Sequence, residues 1–264
     1  MVIPVLRATG WDQIPGLRHG FSTRIGGVSQ IYTGGQQGEL NLGLTADDER
    51  DRVLANRRLL LQTLGGDRWD GAEIKTVRQI HSARIERVDA AYTPGSVEAD
   101  GLITNQPGVM LGILAADCVP VLVADVQRGI AGAFHAGWRG TAARIVEIGV
   151  AQMVDELGAK VGDLVAAVGP SIGSCCYEVG PDLQKTFSQE FEYGSELFSR
   201  GTHLDLWEAN RRQLLAAGLA PEQITVIGEC TACSRINGAR KYFSHRAEAG
   251  FTGRGMGIIG FDPA

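Results

Sequence analysis

The sequence predicts a single α+β domain spanning residues 1–264, in which strands dominate and helices are interspersed. Three observations predict it. Short apolar runs recur along the chain, too short for good helices and of the right length for buried strands. Between them stand segments whose apolar residues repeat at helical spacing. No linker, internal repeat, low-complexity segment or composition break divides the 264 residues, which can bury one large core.

The elements follow in order. His19-Gly-Phe-Ser-Thr-Arg-Ile-Gly-Gly-Val-Ser29 reads as a strand followed by a Gly26-Gly27 turn. There Arg24 and the glycine amides could bind an anion, or form a surface hairpin with a solvated arginine. Residues 32–38, with Gly34-Gly35 and Gln36-Gln37-Gly38, read as a mobile loop and a lid. After Asn41-Leu-Gly-Leu44 a helix is expected from near Asp48 to Leu64. It carries Val53, Leu54, Leu60, Leu61 and Leu64 on one face and stops at Gly65-Gly66. Asn56, Arg57 and Arg58 fall between its apolar positions and are assigned to the surface.

Residues 73–88 read as one or two strands carrying Gln79 and His81, and Asp100-Gly101 as a turn before a short strand. Residues 110–116, 119–124 and 130–134 are three buried strands. Thr141 is placed as the N-cap of a helix reaching about Leu157, with free amides facing the end of the His135 strand. The strand at residues 164–168 opens into a Gly/Pro-rich loop containing Cys175 and Cys176. Pro181 starts a short helix. Asp205-Leu-Trp-Glu208 has capping-box spacing, for a helix that ends at Gly218. A strand at 224–227 leads to Cys230-Thr-Ala-Cys233, and residues 241–246 and 253–260 read as strand-rich.

Composition narrows the function classes. A net charge of −5 argues against a broad nucleic-acid footprint. No apolar run approaches the roughly 18–20 residues of a membrane span. The opening Met1-Val-Ile-Pro-Val-Leu-Arg7 has no signal-peptide core. The expectation is a cytoplasmic protein with no nucleic-acid or membrane partner. Five cysteines, an odd number, then suggest free or metal-binding thiols rather than disulfides.

The chemistry-bearing residues gather at the joints of the central strands. Asp117, Cys118 and His135 end or begin core strands, and His81 closes an earlier strand-like run. We read His81, Cys118 and His135 as a three-ligand metal site. Their intervals of 37 and 17 residues match no zinc-finger spacing. Three protein ligands leave a fourth position for water or substrate, as a catalytic site requires. The same residues allow a rival: Cys118 as nucleophile, His135 as its base, Asp117 or Asp100 as the orienting group. Spacing does not separate the two, and the extra histidine favours metal. Cys230 and Cys233 with Cys175 and Cys176 could form a four-thiolate zinc site. Against it, adjacent cysteines in an extended chain point to opposite faces, which favours free thiols.

Further motifs fall in a characteristic order: His19-Gly-Phe-Ser-Thr-Arg, Asn41-Leu-Gly, Gln79-Ile-His81, Ala99-Asp-Gly101, Ala116-Asp-Cys-Val-Pro120 and His135-Ala-Gly-Trp-Arg-Gly140. Gly169-Pro-Ser-Ile-Gly, Cys176-Tyr-Glu-Val, Asp205-Leu, Asn210, Cys230-Thr and Phe243-Ser-His-Arg246 complete it. From about residue 18 to 260 the chain resembles the YfiH/laccase-domain family, whose members carry the labels polyphenol oxidase and purine nucleoside phosphorylase. The resemblance implies two packed mixed β-sheets flanked by helices. It implies Zn2+ at His81, Cys118 and His135, with Cu2+ as the alternative. It implies phosphorolysis of adenosine, inosine and methylthioadenosine, with adenosine deaminase activity beside it.

Deamination suits a metal that lowers the pKa of its water, with Asp100 or Asp117 moving the proton beside Cys118 and His135. Phosphorolysis needs anion donors, for which Arg24, Arg246 and the amides of residues 137–139 are candidates. Asn41, Gln79 and Arg139 complete the expected substrate contacts. The implied partners are purine nucleosides and phosphate, taken by a monomer or homodimer. Copper-dependent phenol oxidation is the second reading. Coupling it to oxygen takes several coppers and more histidines than His19, His203 and His245 add. A Cys–His hydrolase or nucleotide-binding module is the third. One departure from the family is Ser244-His245-Arg246-Ala247, where a tyrosine and a second arginine are common.

Overall fold

The computed structural model describes residues 3–32 and 38–263. Apart from Tyr32 and Gly38, the expected lid at residues 32–38 lies outside them. In chain order the strands are β1 (Val5–Leu6), β2 (Leu17–Ser22), β3 (Ile25–Ser29), β4 (Ile74–Lys75), β5 (Ile85–Arg87), β6 (Gly101–Thr104), β7 (Met110–Ala115), β8 (Val119–Asp125), β9 (Ile130–Ala136) and β10 (Leu164–Val168). They continue with β11 (Phe198–Ser199), β12 (His203–Leu204), β13 (Ile224–Val226), β14 (Arg235–Ile236), β15 (Ala239–Arg240) and β16 (Gly255–Phe261). The α-helices are α1 (Arg50–Gly65), α2 (Trp138–Ala142), α3 (Ile145–Leu157), α4 (Pro181–Glu190) and α5 (Leu206–Ala216).

A five-stranded sheet runs β1-β2-β16-β7-β4 and a six-stranded sheet runs β13-β10-β8-β9-β6-β5. Both are mixed: β4/β7, β5/β6 and β10/β13 are parallel pairs among antiparallel ones. The side-chain period of a strand sets the layers. Along β8, Val119, Val121 and Val123 face a core completed by Ile145, Val150 and Met153 of α3 and Leu206 and Leu214 of α5. Leu122 and Ala124 face the other way and pack on Phe21, Leu111, Ile113 and Ile259 of the five-stranded sheet. The outer face of that sheet meets Leu60, Leu61 and Leu64 of α1 through Ile74, Met110 and Ile258. The order of layers is helix, sheet, sheet, helix. The expected α+β architecture with two packed mixed sheets is what forms. Each large aliphatic side chain so buried contributes about 1.5–3 kcal/mol.

Several local expectations fail for identifiable reasons. Only Ile74–Lys75 of the run ending at His81 joins a sheet; the chain then leaves it and turns around Asp100. Gly26 and Gly27 lie inside β3 rather than in a turn. Gly137, not Thr141, is the N-cap residue, and the helix breaks at Arg144, which has a left-handed φ of 58°. Thr141 is unavailable as a cap because its hydroxyl donates to Ala136 O and accepts from Asn210 Nδ2. Asp205 does cap α5, accepting from Glu208 N at 3.0 Å. The Glu208 carboxylate pairs instead with Arg211 and Arg212, so the reciprocal half of the box is missing. Residues 241–246 form no strand, whereas β16 lies in the middle of its sheet.

Candidate active site

The chain crosses from one sheet to the other between β7 and β8, through Ala116, Asp117 and Cys118. Asp117 makes the crossing with a φ of 94°, a costly conformation for a side-chain-bearing residue. Three contacts hold it. Its carboxylate accepts from Thr231 Oγ1 at 2.6 Å and from Arg246 N at 2.7 Å, and its carbonyl accepts from Ile172 N at 2.9 Å.

Strand register does the rest. β8 pairs with β9 at Val119↔Ala136, so Cys118 comes opposite Gly137. β9 pairs with β6 at Gly101↔Phe134, which sets Asp100 beside His135. Asp100 is fully buried, and both of its oxygens are engaged. Oδ1 accepts from His81 N at 3.0 Å and faces His135 Nδ1 at 2.8 Å. Oδ2 accepts from Ser82 N, Ser82 Oγ and Ile80 N. One carboxylate therefore shapes the His81 turn, where φ is 61°, and orients the His135 ring.

His81, Cys118 and His135 converge, their ligand atoms all within 4.8 Å of one another. Cys118 Sγ lies 4.0 Å from His81 Nε2, and the two imidazole rings are 5.0 Å apart. Burial alone would raise the Cys118 thiol. The charge of His135, with hydrogen bonds from His135 and His81, brings it down to about 6. Burial alone would lower His135. The facing thiolate and the Asp100 hydrogen bond lift it to about 9. Thiolate and imidazolium thus share a proton where a divalent cation can take its place.

The cradle is shaped for such an ion. A Cβ on Gly137 would come within 2.9 Å of Cys118 Sγ and 3.4 Å of His81 Cδ2. With Asp100 facing Nδ1 of His135, displacement of the shared proton leaves the Nε2 lone pair for a ligand bond, the usual support of a metal-binding histidine. Two imidazoles and a thiolate suit zinc or copper.

The group opens on a cavity of about 1490 Å³, above the roughly 300–1,000 Å³ of a small-molecule pocket. Arg50, Arg57, Arg58, Arg78, Arg246 and Arg254 line it, against Asp70, Glu73 and Asp117. The wall is cationic despite the acidic chain. Arg57 is buried, donates through Nε to Leu42 O at 2.9 Å and has no ion pair among the described residues. Burial, with Arg50 nearby, lowers it to about 10. Sequence reasoning placed Asn56 and Arg57 on the surface, and both are buried. The signal was present: positions 53, 56, 57, 60, 61 and 64 form one continuous helical stripe.

The expected substrate residues divide. Arg246 and Gln79 reach the cavity wall. Arg246 Nη1 donates to Glu178 O at 3.1 Å. The Gln79 amide is spent on the backbone of Leu114, bonding its N–H and its carbonyl. Arg24 is not at the wall; it is buried in ion pairs with Glu39 and Glu248, over the Phe243 ring. Asn41 is also buried and holds Gly43 N and Arg254 N, whose residues do line the cavity. Arg139 is exposed, stacked on Trp138.

A family model described as multi-copper polyphenol oxidoreductase laccase matches residues 18–262. This chain belongs to the YfiH/laccase-domain family. A purine nucleoside phosphorylase of Deinococcus radiodurans is 40% identical over 260 residues, covering 98% of this chain and 93% of that protein. An adenosine deaminase, RL5, from an unknown prokaryotic organism is 34% identical over 241 residues, 86% of this chain and 87% of its own. The crystal structure of Bacillus licheniformis YfiH matches with a TM-score of 0.82 at 33% identity, covering 96% of this chain and 94% of that one. In this laccase-domain chain no helix among the described residues is long and apolar enough to cross a membrane. The described residues hold two groups that could take a metal, His81–Cys118–His135 and a cluster of four cysteines.

Proposed function

We propose that this laccase-domain protein is a zinc-dependent purine nucleoside phosphorylase acting on adenosine, inosine and methylthioadenosine, with adenosine deamination as a second activity. The observation that carries the reading is the convergence of His81, Cys118 and His135 at the wall of an arginine-lined cavity. The names of the relatives support it.

When bound by these three residues, zinc supplies a Lewis acid and lowers the pKa of water at its open position. The chain's own residues do the rest. Asp100 keeps the proton on His135 Nδ1 and so turns Nε2 towards the cavity. Asp117 aims Cys118 through its held backbone. We assign both carboxylates to positioning, because their oxygens are already bonded to the loops around them. Arg57, with Arg50 and Arg58 on the same helix and Arg246 at the same cavity, binds the phosphate dianion and holds an oxygen for attack on the ribose carbon, while the negative charge that builds in the transition state goes to the departing base. Tyr177 lines the same cavity; burial first, then the Cys118 thiolate, push its phenol up to about 12. It keeps its proton and can donate it in a hydrogen bond to the departing base.

Phenol oxidation through several coppers finds less support, because the two metal-capable groups among the described residues offer two histidines between them. The test joins metal analysis to turnover. Wild type and Cys118→Ala are incubated with adenosine or inosine, with and without phosphate, and free base and ribose 1-phosphate are followed by chromatography. Phosphate-dependent base release by zinc-loaded wild type, lost in the variant, is expected. Inosine formed from adenosine without phosphate reports the deaminase. Bound zinc with no turnover of either nucleoside overturns the reading.

A further inference from the structure

We propose that Cys175, Cys176, Cys230 and Cys233 bind a second metal ion, a structural zinc in an all-thiolate site distinct from the His81–Cys118–His135 centre. The four sulfurs lie within 4.8 Å of one another. Cys175 Sγ and Cys233 Sγ are 3.7 Å apart. Sulfurs on a tetrahedral zinc, each bonded at about 2.3 Å, stand roughly 3.8 Å apart. Clusters of several irons need their cysteine sulfurs spread wider, so the spacing specifies one ion. Four protein ligands close its coordination, which marks a structural rather than a catalytic site.

The backbone explains how adjacent cysteines serve one ion. Residues 174–176 form a turn, so the alternation of an extended strand does not apply. Cys176 N donates to Gly173 O at 2.9 Å. A second turn carries Cys230-Thr-Ala-Cys233, closed by Ser234 N donating to Cys230 O at 3.0 Å. The turns are held side by side by a parallel bridge at Ser171↔Cys230. Amide groups point at sulfur, as they do around metal-bound thiolates: Gly173 N donates to Cys230 Sγ at 3.3 Å. Positive charge stands nearby, where a divalent ion on four thiolates carries a net charge of −2. Arg235 and Arg240, on the β14–β15 hairpin that follows, both donate to Ala232 O.

The apolar core here is too small to hold the turns. Only Ile172, Cys230 and Ala232 are buried in it. Cross-linking by metal is how small loop-rich units compensate. The ion also reaches the other centre. Thr231 sits inside the second turn and donates to the Asp117 carboxylate, while Ile172, ahead of the first, donates to the Asp117 carbonyl. Tyr177, next to Cys176, lines the cavity. The second zinc fixes the loops that position Asp117.

The decisive sample is full-length Cys118→Ala, which loses a ligand of the first centre and keeps all four cysteines of the second. We expect wild type to carry two zinc ions per chain, Cys118→Ala one, and Cys118→Ala/Cys175→Ser/Cys233→Ser none. X-ray absorption at the zinc edge of Cys118→Ala should show sulfur neighbours alone, at about 2.3 Å. Cys175 and Cys233 are exposed and as free thiols would react with Ellman's reagent at once. In metal-loaded Cys118→Ala they should react only after a chelator is added. No stoichiometric zinc in Cys118→Ala, nitrogen or oxygen in the zinc shell, or immediate thiol reaction overturns the proposal. These readouts need no substitution in the cluster, so they hold even if the serine variants do not fold. Nucleoside turnover tests only the other centre: zinc retained in Cys118→Ala beside an inactive wild type rejects the phosphorylase reading and leaves this site standing.

Discussion

At Gly137 the missing side chain decides whether three ligands can meet. A methyl group there would press on Cys118 Sγ at 2.9 Å, and the sulfur can yield only by leaving the histidines. Gly137→Ala should therefore lower zinc at the His81–Cys118–His135 centre and kcat/KM together, each at least tenfold, with little change in Tm. Full zinc occupancy in that variant would contradict the geometry. His19 makes a different prediction. It is buried, its Nε2 accepts from Ala8 N at 3.0 Å, and burial lowers its pKa to about 4. The unfolded chain binds a proton at about 6.5, so the stability from neutral His19 is complete above that value. It is lost as pH falls towards 4, by about 1.4 kcal/mol per pH unit. Urea unfolding at pH 6.5 and pH 5 should show wild type losing about 1.5 kcal/mol more than His19→Gln. The convergence of His81, Cys118 and His135 was legible in the sequence because few residue types offer soft or borderline ligand atoms. Arg24 and Arg57 were not, because charge says nothing of which arginine meets a carboxylate and which faces a cavity.

The helix α1 shows what periodicity carries and what it hides. Its leucines were legible as a core face, yet the same stripe includes Asn56 and Arg57. Asn56 is where the helix grips its neighbours. Its Oδ1 accepts from Val28 N, and its Nδ2 donates to Ser29 Oγ, Glu39 O and Asn41 O. Asn56→Ala removes all four bonds at once and should cost about 2–4 kcal/mol in denaturant unfolding. A cost under about 0.5 kcal/mol would mean that water replaces the amide. The break between α2 and α3 was illegible, since Arg144 is an ordinary helix former. Its left-handed turn carries the side chain to distant partners, the Glu190 carbonyl and the Phe191 ring, that no local pattern announces. The side-by-side placement of Cys175 and Cys176 was also illegible: adjacent thiols point apart only in an extended chain, and residues 174–176 form a turn.

Across the whole molecule the cavity joins layers that are far apart in the sequence. α1 brings Arg57, the crossing between the sheets brings Cys118, and the tail brings Arg246 and Arg254. Arg57→Ala should raise the phosphate KM at least tenfold and leave zinc content unchanged. An unaltered phosphate KM would move the anion site elsewhere. The alternation of apolar residues made the two-sheet class legible, and the motif order made the family legible. The pairing was beyond reach, because nothing local says that Gly257 should meet Phe21 on one side and Ile113 on the other.

That pairing sets a timetable. β16 follows every other strand of the described residues, yet β2 and β7 meet in the sheet only through it. Without residues 255–261 no strand pairing joins β1 and β2 to β7 and β4. Long-range pairing of this kind is the slow part of folding. The crossing at Asp117 also waits for Thr231 and Arg246. A growing chain therefore cannot fix the crossing that aims Cys118 until Thr231 and Arg246 have been added.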